Sequence, residues 1–286
     1  MQEPKMMLDD RITLPSAPTV ILEIQSLLAS ESTTVDEVAV KLGEDPAILA
    51  QILRVVNSAY YGLSREVTSL RFAVALLGFK EIQRLTLSLA VVNSMDLGVS
   101  KHLHRYWVHS SHISLIMKHL VRTHYPLLDV EQVWIAGCLH DIGKLLYFKF
   151  CPELVEKIAE DAEATGMLYS DIEKRESIYA ASQVGARLCE EWNLPSCVVY
   201  AAETHTIDTL ASCDATGGNR DIRALVTIGN LLSEITLRPM NEETEAKVFG
   251  FIKSELEIDE DELLLLLSTV KELKMEAESF ALQVAR

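Results

Sequence analysis

The sequence of 286 residues has little of what strand-rich or loop-rich proteins need. Glycine (12) and proline (8) are sparse, aromatic residues make up 6%, and no turn dipeptide flanked by alternating apolar residues predicts a β-hairpin. Leu, Ala, Val and Glu dominate the composition, which favours helices over strands. The sequence therefore predicts an all-α protein, long enough for one large domain or two packed lobes.

Basic residues are also scarce. Lys and Arg total 26 against 42 Asp and Glu, which gives a formal net charge of -16. A protein that binds nucleic acid non-specifically needs a basic face to meet the phosphates, and no Lys/Arg-dense run provides one. We therefore expect no nucleic-acid partner. An acidic surface of this kind also keeps proteins soluble.

Signals for export, membrane insertion and disulfide formation are lacking. The start MQEPKMMLDD has no basic segment followed by an apolar one, and the apolar runs are too short or too interrupted to span a bilayer. The cysteines are odd in number, scattered and never spaced as CxxC, which is typical of reduced cytosolic thiols. They are Cys138, Cys151, Cys189, Cys197 and Cys213. We expect a cytoplasmic protein without a membrane partner.

The stretch GCLHDIGKLLY, residues 137–147, has the most chemical character in the chain. His140 and Asp141 interrupt an apolar run that we predict to be helical. Imidazole nitrogen and carboxylate oxygen are ordinary ligands of divalent metals, and neighbouring helix positions lie about 100° apart, so both side chains can reach one ion. The dipeptide is therefore a candidate metal-binding element.

A third candidate ligand, His109, lies on another predicted helix. It shares the helical spacing of one buried stripe with Ile113, Ile116 and Leu120, so its ring faces inward. Two interpretations remain open for these residues. A buried histidine often serves only as a core residue that bonds a backbone carbonyl, and metal sites usually need four ligands, of which three are named here.

The motifs resemble two nested families. The spacing of WVHS (107–110) and LHDIGKL resembles the HD superfamily of metal-dependent phosphohydrolases, whose pattern is a His, an HD pair and a distant Asp. Leu14-Pro15 with Pro18, DPAILAQILRVVNSAYYG (45–62), TSLRFAVALLG (68–78) and VGARLCEEWNLP (184–195) resemble the narrower HDOD family, the HD-related output domain of bacterial signalling proteins. The resemblance covers roughly residues 12–235.

This resemblance implies a metal site formed by His109, His140 and Asp141. In the helix LVTIGNLLSE, Asn230 stands where the HD pattern has its last Asp, and an amide is a weaker ligand than a carboxylate. Of the His-His pair that many relatives carry after the LP motif, only His205 remains. We therefore expect no binuclear site, no required cofactor, and at most weak binding of a divalent metal.

The expected function is a non-catalytic signalling module that binds a partner protein or a small ligand. The main alternative is a metal-dependent phosphohydrolase acting on a nucleotide or phosphoester, in which the ion lowers the pKa of a bound water. A third interpretation, a nucleotide sensor without turnover, lacks support from a Gly-rich phosphate loop or an arginine cluster.

The predicted organisation is a two-lobed helical domain. A tail (1–11) precedes an N-terminal helical lobe (12–97) and an HD-like lobe (98–240), and C-terminal helices (241–286) pack on the HD-like lobe. The last helix has more apolar surface than one edge needs, so it either docks across the domain or mediates homo-oligomer formation. The segment 208–219 is either a flap over the site or a plain surface loop.

Overall fold

The computed structural model describes residues 46–98, 100–176 and 179–284, together with residues 19, 22, 23, 33, 34, 36, 37 and 40. The helices are α1 (Pro46–Val56), α2 (Leu70–Leu77), α3 (Phe79–Asn93), α4 (Lys101–Val121), α5 (Val130–Leu139), α6 (Ile142–Phe150), α7 (Pro152–Thr165), α8 (Tyr169–Arg175), α9 (Ala181–Glu191), α10 (Ser196–Glu203), α11 (Ile207–Ala211), α12 (Gly218–Leu237), α13 (Glu242–Leu256) and α14 (Glu260–Val284). Within these ranges no residue is in a strand, so the all-α prediction is confirmed. None of these helices combines the length and the apolar character that a bilayer span requires.

The long helix α4 lies at the centre of the molecule. One hydrophobic core extends from α1 to α14, and α4 packs in it against α5, α12 and α14. Its contact with α5 is close because Gly137 carries no side chain there. A Cβ atom at this position would lie 2.8 Å from the hydroxyl of Ser114. This approach brings the middle of α4 next to the end of α5, where the His-Asp dipeptide follows.

The prediction that His140 and Asp141 lie inside a helix is wrong. Helix α5 ends at Leu139 and α6 begins at Ile142, and Asp141 has non-helical angles of φ -100 and ψ 22. Directly after this break, α6 packs backbone against backbone on α9 at Gly143. A Cβ atom on Gly143 would collide with the carbonyl of Ala181 and would lie 2.8 Å from the backbone nitrogen of Gly185.

The last helix, α14, docks across both predicted lobes, since it packs against α4 and also against α1. Its Phe280 ring is fully buried, with centroids 5.2 Å from Tyr60, 5.8 Å from Trp107 and 6.1 Å from Trp134. Of the two alternatives for this helix, docking across the domain is the one that the structure shows. Leu264, Leu265 and Met275 stay exposed on the same helix, and self-association through them stays a prediction.

The segment NSAYYG after α1 has a structural role. The Asn57 side chain makes hydrogen bonds to both backbone polar groups of Val67. Its Nδ2 donates to the carbonyl at 2.8 Å, and its Oδ1 accepts from the N–H at 2.7 Å. The indole N–H of Trp134 donates to the Tyr60 hydroxyl at 2.8 Å. These contacts agree with tyrosines that cover the edge of a core.

The sequence predicts two capping boxes, TVDE (34–37) and SDIE (170–173), and their outcomes differ. The first, at Thr34 and Glu37, is present: each backbone N–H donates to the other side chain, at 2.8 and 3.3 Å. The first predicted helix, around residues 20–28, lies largely outside the described residues. The second box, opening a helix at residues 170–173 that runs to Trp192, is wrong. Helix α8 begins at Tyr169, whose N–H donates to Glu234 of α12, so a tertiary contact replaces the local cap, and α9 starts separately.

Candidate metal centre

Three imidazole rings converge on one carboxylate, that of Asp141. Its Oδ2 lies 3.4 Å from Nε2 of His109 and 3.5 Å from Nε2 of His140, and its Oδ1 lies 3.4 Å from Nε2 of His205. His109 comes from α4, the dipeptide from the break between α5 and α6, and His205 from the turn after α10. The structure thus brings the three predicted residues together in the interior, with ligand atoms within 4.8 Å of one another.

The backbone fixes the orientation of two of these rings. Nδ1 of His140 lies 2.8 Å from the carbonyl of Gly137, and Nδ1 of His205 lies 3.0 Å from the carbonyl of Ala201. A carbonyl oxygen only accepts, so each Nδ1 carries the hydrogen and each Nε2 keeps a lone pair. Burial lowers the pKa of both histidines, which keeps the rings neutral. Both lone pairs therefore face the carboxylate.

This arrangement fits a divalent metal ion. Among the described groups, Nε2 of His109, Nε2 of His140 and Oδ1 of Asp141 are buried without a hydrogen-bond partner. Lone pairs that face a carboxylate repel it unless a cation lies between them, and buried polar groups without partners are costly. A tetrahedral ion with bonds of about 2.0–2.1 Å holds its ligand atoms about 3.3 Å apart, close to the separations observed here.

A side-chain ammonium also contacts the cluster. Nζ of Lys144 lies 2.5 Å from Oδ2 of Asp141 and 4.2 Å from the ring centre of Tyr169. Burial raises the pKa of the Asp141 carboxyl, but the Lys144 ammonium and the neighbouring imidazoles outweigh burial and hold that pKa well below its usual range. The carboxylate is therefore ionised, and half of the charge that a dication would bring is already supplied by lysine.

The sequence predicts Asn230 at the fourth ligand position and does not predict His205 as a ligand. Asn230 lines the same cavity as Asp141, and its Nδ2 donates to the backbone carbonyl of His205 at 3.0 Å. Its role as a ligand stays a prediction. The sequence also predicts that a helix begun by Leu194-Pro195 carries His205, and this is wrong, because α10 ends at Glu203. The signal for His205 was weak: a single histidine in ETHT without a spaced partner.

The cluster opens into a cavity of about 570 Å³, which Asp208 and Thr209 also line. These two residues belong to α11, so the predicted loop 208–219 begins in a helix. Glu173 of α8 lines it as well and is almost fully buried. Burial raises the pKa of this carboxyl to about 8, and the Lys144 ammonium opposes that effect only in part. A carboxylic acid that stays protonated near neutral pH thus lies close to the cluster, at a position that the sequence had assigned to a helix cap.

Replacing Glu173 by glutamine should remove a pH dependence of stability. The folded-state pKa of about 8 lies above the usual 4.5, so the folded protein binds more protons between these values and loses stability as pH rises through them. In Glu173→Gln this loss should be absent. Urea unfolding across that range measures it, with Glu163→Gln, an exposed carboxylate at the same cavity, as control. Equal pH profiles for wild type and Glu173→Gln would contradict the burial argument.

Comparisons with known proteins agree on fold and family. The sequence model of the HDOD domain family matches residues 14–207. A crystal structure of an HDOD domain protein of unknown function from Geobacter sulfurreducens superposes with a TM-score of 0.72 at 22% identity, covering 96% of this chain and 95% of that one. A Shewanella amazonensis protein whose name suggests a phosphohydrolase gives 0.71 at 22% identity, covering 95% of each chain. At this level of identity the likeness shows the fold alone.

Two further similarities involve longer proteins. A Marinobacter aquaeolei protein whose name suggests signal transduction gives a TM-score of 0.71 at 22% identity, covering 96% of this chain and 60% of that one. An uncharacterized protein of Treponema pallidum is 24% identical over 200 residues, which are 68% of this chain and 38% of that protein. The chain therefore spans well under half of that curated relative.

Proposed function

The chain belongs to the HDOD domain family, and on this premise we propose that it is a regulatory module of bacterial signalling. It acts by binding a partner protein or a small ligand, and it does not hydrolyse phosphoesters. The cavity next to the Asp141 cluster is the place for a small ligand. The cluster would bind a single divalent ion through the side chains of His109, His140, His205 and Asp141. The positive charge of the ion would stabilise the carboxylate and the rings in this arrangement.

The contact between Lys144 and Asp141 carries the non-catalytic part of this proposal. A catalytic ion keeps one coordination position open for water, whereas a structural ion is surrounded by protein groups. Here three imidazoles and one carboxylate converge, and the ammonium at 2.5 Å holds one oxygen of that carboxylate. A cation in this position competes with a metal ion for the charge that would hold it. Weak binding and no activation of water are the expected result.

The charges around the cavity support the same conclusion. A phosphoester substrate needs cations or N–H donors that are free to meet it. Two basic side chains of the cavity wall are already in ion pairs, Lys174 with Asp208 and Arg238 with Glu234. Arg238 also donates to a backbone carbonyl, that of Ala162 at 3.1 Å. Binding a phosphate at these residues would require breaking existing pairs.

The second candidate function is a metal-dependent phosphohydrolase, and one observation favours it. Glu173 is a buried carboxyl that lines the cavity, and burial raises its pKa to about 8. Such a group is suited to donate a proton to a leaving oxygen near neutral pH. In this function Glu173 would act as the general acid, a role for which the sequence alone offers no residue.

Metal titration combined with a hydrolysis assay separates the two candidates. We expect calorimetry with Mn²⁺ or Zn²⁺ to give one ion per chain, weakened at least about tenfold in His205→Ala because one ligand is lost. His119→Ala, at an exposed position of α4, is the control and should bind like wild type. We expect no turnover of nucleotides or generic phosphodiesters with the ion present. Turnover by wild type that disappears in His140→Ala would overturn the non-catalytic proposal.

A further inference from the structure

We propose that the C-terminal helix α14 sets the tautomer of His109 through two buried side chains, His112 and Ser233, so that the Nε2 lone pair of His109 faces Asp141. The metal-ligand role of His109 rests on the proposed function. The positioning by α14 does not, since it follows from contacts within the protein alone. His112 and Ser233 are fully buried, and neither contacts the carboxylate of the cluster in the described contacts.

The contacts form an unbroken chain from α14 to the cluster. Nε2 of His112 lies 2.8 Å from the backbone carbonyl of Val270 on α14. Nδ1 of the same ring lies 3.1 Å from the Ser233 hydroxyl of α12, and that hydroxyl lies 3.2 Å from Nδ1 of His109. Nε2 of His109 is then 3.4 Å from Asp141. The contacts therefore run from α14 through His112 of α4, Ser233 of α12 and His109 of α4 to the carboxylate.

Only one placement of the hydrogen atoms satisfies this series of hydrogen bonds. The Val270 carbonyl accepts, so Nε2 of His112 carries a hydrogen. Burial lowers the pKa of His112 to about 4, so the ring is neutral near pH 7 and its Nδ1 is a lone pair. The Ser233 hydroxyl must donate its single hydrogen to that lone pair. Its oxygen is left to accept from His109, which puts a hydrogen on Nδ1 of His109; in the neutral ring the lone pair is then on Nε2.

The direction of this chain matters because His109 differs from the other two rings. Backbone carbonyls hold Nδ1 of His140 and His205, and a carbonyl admits only one tautomer. His109 instead faces a hydroxyl, which both donates and accepts. If the Val270 carbonyl of α14 did not hold the hydrogen of His112 on Nε2, Ser233 would be free to donate to His109. His109 would then carry its hydrogen on Nε2 and donate it to Asp141 instead of offering a lone pair.

Ser233→Ala tests the proposal in the full chain by two measurements. In metal-free protein, the ¹⁵N NMR shifts of His109 report which ring nitrogen carries the hydrogen. We expect the Nδ1–H tautomer in wild type and a shift toward the Nε2–H tautomer in Ser233→Ala. Calorimetric titration with Mn²⁺ or Zn²⁺ should show an affinity about 10–100-fold lower in the variant, the usual effect of removing a hydrogen-bond partner behind a ligand.

Ser111→Ala is the matched control. Like Ser233, Ser111 is a buried serine. Its hydroxyl donates to a backbone carbonyl of α14, that of Ala277 at 3.2 Å, and it makes no contact in the series that leads to His109. It should change neither the His109 tautomer nor the metal affinity. An Nε2–H tautomer in wild type, or equal loss of affinity in both variants, overturns the proposal. The Nδ1–H tautomer in a wild type that binds no ion supports the positioning and overturns the metal site instead.

Discussion

Lys144→Met should raise the affinity of the Asp141 cluster for a divalent ion by at least about tenfold, or ~1.4 kcal/mol. The Lys144 ammonium lies 2.5 Å from Oδ2 of Asp141 and competes with a metal ion for that oxygen. Two unit charges 4 Å apart near a protein surface interact by about 4 kcal/mol. Removing the ammonium should therefore strengthen the binding of a metal ion clearly, even if part of this energy is lost to solvent and to changes in the protein. Methionine keeps an apolar side chain of similar length but lacks the ammonium, which lies 4.2 Å from the ring centre of Tyr169.

Calorimetry on wild type, Lys144→Met and Lys174→Met measures this effect. Lys174 lines the same cavity but pairs with Asp208 rather than with the cluster, so its variant should bind like wild type. The metal-free Lys144→Met protein should also unfold at a lower temperature, because an ionised carboxylate is left buried without its cation. Unchanged or weaker metal binding in Lys144→Met would mean that the ammonium does not occupy the place of the ion.

Phe280→Ala should lower the free energy of unfolding by about 3–5 kcal/mol, the usual cost of emptying a buried phenylalanine site. The ring lies among Tyr60, Trp107 and Trp134, which come from different parts of the chain. Both tryptophans are fully buried, so we expect the cavity left by the ring to stay largely open. The loss should exceed that of an ordinary leucine truncation at the edge of the core. Urea-induced unfolding followed by tryptophan fluorescence measures it, since two indoles border the site.

Leu282→Ala provides the comparison for this measurement. Leu282 lies two residues further along α14 and is 50% exposed. Truncating it should change the free energy of unfolding by no more than about 0.5 kcal/mol, as expected for a surface substitution. If both variants lose similar stability, α14 does not hold the two lobes together through Phe280.

Periodicity in the sequence predicted the parts of the site that local spacing controls. The stripe that His109 shares with Ile113 and Ile116 indicated correctly that the ring faces inward, because helical spacing alone decides which face is buried. The break at Asp141 was not predictable in this way. Apolar residues continue on both sides of it, and the break lies next to the close contact between Gly143 and α9, which is distant in sequence.

The residues that were missed depend on tertiary packing. His205 reaches Asp141 because α10 packs against α5, and nothing near residue 205 encodes that contact. Glu173 fits the local pattern of a capping box, but Glu234 of α12 takes over the helix start and α8 turns Glu173 into the interior. In both cases a distant helix decides the outcome.

The contact of Gly143 with Ala181 and Gly185 also determines how movement passes through the molecule. Side chains between two helices usually absorb small displacements by changing rotamer, but at Gly143 the helices α6 and α9 meet through backbone atoms, which have no rotamers. We therefore expect that a partner which tilts α9 from outside also moves α6. Because α6 begins directly after Asp141, the carboxylate would then shift relative to His109 of α4 and to His205, which follows α10.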